Sequence, residues 1–89
     1  MKMKLLHAEM AYNEQEGYLG RVQFEIEGHK QPYELTLQSA GRLDDWNYAL
    51  HFLGESGAEQ EIEAVERAIE TDDEFFDDLV EAATAAVAD

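Results

Sequence analysis

His7 and Glu9 stand two positions apart, so on an extended strand both side chains leave the same face, as a pair of zinc ligands would. His51 offers a third imidazole, on the outward-facing positions of another alternating segment. In a four-strand meander those segments form opposite edges, three spacings or roughly 14 Å apart. Zinc bonds are near ~2 Å. His29 falls in a turn. All three histidines are therefore expected to be solvated, and no metal or other cofactor is expected.

The acid pairs Asp44-Asp45, Asp72-Asp73 and Asp77-Asp78 raise two other chemistries. A calcium loop of the EF-hand type needs alternating oxygens, a central glycine and a closing glutamate in fixed register, and no such run occurs. Carboxylates that cleave glycosidic bonds need a cleft and one desolvated acid. Acids at helix starts are already accounted for by the macrodipole. The chain lacks a serine nucleophile elbow, a phosphate loop and any cysteine. Trp46 and Tyr48 have the ring faces to stack on a base or sugar, but they alternate in phase with Leu50 and Phe52, which assigns them to a core. No catalytic residue is expected, and the chain is read as a non-enzyme.

Period two positions these residues in the first half. Val22, Phe24 and Ile26 alternate with Arg21, Gln23, Glu25 and Glu27; Tyr33, Leu35 and Leu37 alternate with Glu34, Thr36 and Gln38; Trp46, Tyr48, Leu50 and Phe52 alternate with Asn47, Ala49 and His51. The opening segment changes phase: Met1, Met3 and Leu5 point one way, and Leu6, Ala8, Met10 and Tyr12 the other. Either a bulge absorbs the slip or only the residues after Leu5 pair. Connections at Asn13 to Gly17, Gly28 to Gln31 and Ala40 to Asp45 are hairpin-sized, and none is long enough for a parallel crossover. The expected sheet is an antiparallel meander in the order 1-2-3-4.

After Phe52 the period becomes helical. Ser56-Gly-Ala-Glu59 and Thr71-Asp-Asp-Glu74 both match the capping box, and predict two helices. Ile62, Val65 and Ile69 form the apolar stripe of the first; Phe76, Leu79, Val80, Ala83 and Val87 form that of the second. One continuous helix would also satisfy a heptad but would carry Asp72 on its apolar seam, so a break near Thr71 is expected. Helices laid across the sheet bury both apolar surfaces, giving an α+β fold, ββββαα, in a single domain over residues 1–89. The sheet's other face carries Arg21, Gln23, Glu25, Glu27, Glu34, Thr36 and Gln38, with no helix left to cover it.

The charge is lopsided. Residues 55–89 hold 13 acids and one base (Arg67), or −12, and residues 1–54 hold 8 acids and 5 bases, or −3, which sum to the net −15. Such a surface repels nucleic acid and anionic lipid and attracts basic protein surfaces. With 45% hydrophobic residues the chain carries enough apolar material to fold. No cysteine, leader-like run or spanning segment occurs, which fits a cytoplasmic location. Carboxylates at Glu59, Glu63, Glu66, Glu70, Asp73, Asp77, Asp78 and Glu81 define the candidate partner-binding face. The expected function is a binding or inhibitory module that docks on a basic protein, such as a nucleic-acid-binding protein, by imitating phosphates. In size, charge and layout the chain resembles small acidic phage-encoded inhibitors, anti-CRISPR proteins among them. A homodimer built through an edge strand or the outer sheet face is the alternative, and charge that serves only solubility is the bland one.

Overall fold

The structure is a computed structural model that describes residues 1–40 and 46–86. The Asp44-Asp45 pair, most of the Ala40 to Asp45 connection and the Val87 position of the apolar stripe lie outside the described residues. Four strands, β1 (Met3–Asn13), β2 (Gly17–Ile26), β3 (Tyr33–Ser39) and β4 (Asn47–Phe52), precede two helices, α1 (Glu59–Thr71) and α2 (Asp73–Ala85). The strands form one antiparallel sheet in the order β1-β2-β3-β4, the meander expected from the short turns. Its register puts like with like: Ala8 faces Val22, Val22 faces Leu35, and Leu35 faces Leu50. A slip of one residue would turn every one of these side chains to the other face.

The phase change in the first strand is a bulge between Leu5 and His7. Met3 and Leu5 pair with Ile26 and Phe24, and Ala8, Met10 and Tyr12 pair with Val22, Gly20 and Tyr18, so both runs reach the same face and Leu6 is the extra residue. At the first turn the Asn13 side chain accepts from the Gln15 amide at 2.8 Å, and Gly17 adopts φ +82, which an L side chain would resist.

Both helices cover one face of the sheet. α2 packs over β1 and β2, and α1 over β4. Between the layers Val22, Phe24, Tyr33, Leu35, Leu37, Val65, Leu79 and Ala83 are wholly buried. Rings run across the strands: Phe24 to Tyr33 at 5.6 Å and Tyr33 to Phe52 at 5.6 Å, with Phe75 of α2 edge-on to Phe24 at 6.3 Å. Such pairs add about 0.5–1.5 kcal/mol each beyond area burial. Phe75, absent from the expected stripe, is the more buried of the two adjacent phenylalanines; Phe76 is half-buried against Tyr48, ring centroids 5.9 Å apart. The physical cause is the line Phe75, Leu79, Ala83, spaced four apart, which α2 turns toward the sheet.

Neither expected capping box forms. α1 begins after Ala58 with no side-chain cap, so Ser56 does not serve it. Thr71 is still helical, its hydroxyl donating to the Arg67 carbonyl at 2.7 Å. Asp72 supplies the break: its amide donates to the Ala68 carbonyl, ending α1, and its carboxylate accepts from the Phe75 amide at 3.3 Å, opening α2. The helix therefore breaks at the residue that a continuous heptad would have placed on the apolar seam. Asp72→Ala is expected to lose ~1 kcal/mol of stability in urea titration, while Ser56→Ala stays within ~0.5 kcal/mol. Equal losses would restore the capping box. Among the described residues, no helix is long and apolar enough to cross a membrane.

Candidate binding surface

Glu59, Glu63, Glu66 and Glu70 recur at spacings of four, three and four along α1, which stacks them in one stripe, and all four are exposed. The helical rise of ~1.5 Å per residue spreads them over roughly 16 Å. Glu63, Glu66 and Glu70 with Arg67 line a shallow concavity of about 220 Å³. On α2, Asp73, Asp77 and Glu81 follow at intervals of four, Asp78 sits beside them, and all four are exposed. Each residue of the candidate face therefore lies on the helical layer in water, and the concavity gathers three of them.

The stripe is tied to the sheet by a contact that hydropathy patterning does not reveal. Tyr48 of β4 lies against the helical layer, where the Glu70 and Glu66 carboxylates act on its phenol. Burial pushes the Tyr48 phenol above its ordinary 10.0, and the nearby carboxylates of Glu70 and Glu66 push it the same way. Burial also raises Tyr33, with the Glu61 charge adding to it. The sign for stability follows: a phenol held above its unfolded value contributes fully below pH ~10, and the contribution is lost as pH climbs through the folded value. Absorbance titration should show Tyr48 ionising above 10.0, and Glu70→Gln should bring it down. An unchanged titration would mean that burial alone raises it.

Glu61 lies off the stripe. Its carboxylate accepts from the Lys30 amide at 2.9 Å and anchors the β2–β3 turn to the start of α1. On the uncovered sheet face, Arg21 pairs with Glu9 at 3.4 Å, and Gln23 donates to Glu34 at 2.9 Å. Both ion-pair partners are about half exposed, so the bridge is worth little. The register sets His7, Gln23, Glu34 and His51 in one row, each on a different strand, so the two histidines stand at opposite edges. His29, in the β2–β3 turn, meets the Tyr33 hydroxyl through Nδ1 at 2.8 Å. Among the described residues, no group of three histidines or carboxylates is placed to hold a metal ion. Trp46 and Tyr48 are half-buried against the core, as their phase implies.

The chain matches no protein-family model, no curated protein and no solved structure with which it was compared.

Proposed function

We propose that this chain is a non-enzymatic binding module whose acidic helical layer docks on a basic protein surface and occupies lysine and arginine sites that otherwise hold nucleic-acid phosphates. The observation that carries this is the α1 stripe: four exposed glutamates in line, with Arg67 as the one base among the residues of α1 and α2. Repulsion within such a stripe disfavours the isolated chain, and a cationic partner relieves it. Three intervals across roughly 16 Å give a charge every ~5 Å, nearer to the ~3.4 Å per charge of a single nucleic-acid strand than to the ~1.7 Å of a duplex. The stripe therefore suits a protein that reads one strand's backbone better than one that clamps a duplex.

The test is competition. A basic, nucleic-acid-binding protein retained on the immobilised chain at low salt should be released by single-stranded nucleic acid and by salt, because both act on the same cationic sites. A ternary complex of chain, partner and nucleic acid would overturn the mimicry. A second arrangement, pairing of two copies through β1, draws support from Leu5 and Leu6, 47% and 43% exposed on that edge. The bulge at the same place works against it, because a bulge twists an edge out of pairing register. A single monomeric boundary in sedimentation at high salt would remove that arrangement.

A further inference from the structure

β4 is an outer strand with an unprotected edge. Sheet edges are commonly blocked by a charged side chain, a proline or a bulge. β1, the opposite edge, has its bulge and carries Lys4 and Glu9. β4 has none of the three, and residues 46–54 form the longest run of the chain without Asp, Glu, Lys or Arg. The Leu53 amide donates to the Pro32 carbonyl at 2.9 Å, which fixes the alternation of the antiparallel ladder: the amides and carbonyls of Asn47, Ala49 and His51 turn toward β3, and those of Tyr48, Leu50 and Phe52 turn outward. Among the described residues, no turn or loop backbone pairs with that outward row. The same three side chains are half-buried, although Leu37, Leu35 and Tyr33, which they face on β3, are wholly buried. At this edge the fold is therefore incomplete both in backbone pairing and in apolar cover.

The charge beside the edge selects what completes it. At ~100° per residue, Glu59, Glu63, Glu66 and Glu70 stand about a quarter-turn from the sheet-facing Ile62, Val65 and Ile69, on the flank of α1 opposite Ala68, which packs on the core. α2 covers β1 and β2, so the glutamate flank looks over β4, where the charges of Glu66 and Glu70 act on Tyr48. α1 starts beside Phe52, whose ring comes within 2.9 Å of where a Cβ on Gly57 would stand, so the stripe of roughly 16 Å runs alongside the ~17 Å of β4. A second copy paired through this edge would set two glutamate stripes together and is repelled, whereas a cationic chain is attracted. We infer that an extended basic segment of the partner adds to β4 as a fifth, antiparallel strand, its backbone paired with Tyr48, Leu50 and Phe52 and its alternate side chains, ~6.8 Å apart, presenting lysine or arginine to the α1 stripe. This rests on the docking proposed above and names the element of the partner that docks.

The probe is a capped peptide of alternating threonine and lysine with three lysines, titrated into the isotopically labelled chain and followed by amide shifts. The largest shifts are expected at residues 47–53 and along α1, with binding that weakens as salt is added. In antiparallel pairing the lysine amides point at β4 and the threonine amides point away. N-methylation of the lysine amides should therefore weaken binding about tenfold or more, while N-methylation of the threonine amides, at the same charge, should weaken it less than about threefold. Glu63→Gln with Glu66→Gln should weaken it about fivefold, and Asp78→Asn with Glu81→Gln, the same charge change on α2, less than about twofold. All four acids are exposed, so these variants should keep the parent spectrum elsewhere. Equal binding of the two methylated peptides, with shifts on the helices and none on β4, would overturn strand addition and leave the acidic docking standing. Absence of salt-sensitive binding by all three peptides would be a failure of the docking reading, and of strand addition with it.

Discussion

Leu79→Ala is expected to cost ~3 kcal/mol, a large share of the roughly 4–13 kcal/mol that a domain of this length has in total. Leu79 is wholly buried in the middle of α2, on the line that faces the sheet. Truncation leaves a cavity between two layers that are each held by their own hydrogen bonds, so collapse around it is limited. Urea titration should show a lower midpoint at an unchanged slope. Leu19→Ala is the control: Leu19 is 47% exposed on the uncovered face, and the change should stay within ~0.5 kcal/mol. A loss below ~1 kcal/mol at Leu79 would mean that α2 does not press on the sheet.

The second large effect is that of salt. Within the helices, Glu59 and Glu63, Glu66 and Glu70, Asp73 and Asp77, Glu74 and Asp78, and Asp77 and Glu81 are like-charged neighbours four apart. At ~0.2–0.5 kcal/mol each, these five pairs cost about 1–2.5 kcal/mol, against a single favourable pair from Glu63 to Arg67. Neither helix has a base in its last turn to meet its dipole. Raising sodium chloride from ~0.01 M to ~1 M shortens the screening length from ~30 Å to ~3 Å and removes most of that cost. The melting temperature should rise by about 5–15 °C. Equal melting temperatures at the two salt concentrations would show that the carboxylates are too well solvated to strain the fold.

The sheet was legible because three of its strands alternate cleanly and its turns are too short for anything but hairpins. The phase slip at Leu5-Leu6 was equally informative, since only an extra residue returns Ala8 and Met10 to the core face. Helix starts were harder. The pattern of a hydroxyl followed three residues later by a glutamate occurs twice, but local patterns do not say which residue leaves helical geometry first; Asp72, with φ −114 and ψ 96, does so in place of Thr71. Phe75 and Phe76 are adjacent, and only the docking of α2 decides between them. The exposed stripe was readable from spacing alone. The influence of Glu70 and Glu66 on Tyr48 was not, because it joins residues far apart in the chain through tertiary packing.

The acidic stripe as a docking surface is tested most directly by two charge-matched variants. Glu63→Gln, Glu66→Gln and Asp77→Asn neutralise the helical layer; Glu14→Gln, Glu16→Gln and Glu25→Gln neutralise exposed acids of the first hairpin. Each set moves the net charge by three, from −15 to −12. Affinity for a basic protein retained by the parent chain should fall about tenfold or more with the helical set and less than about twofold with the hairpin set. Equal losses from the two sets would mean that net charge alone attracts the partner and that the helical layer is no specific site.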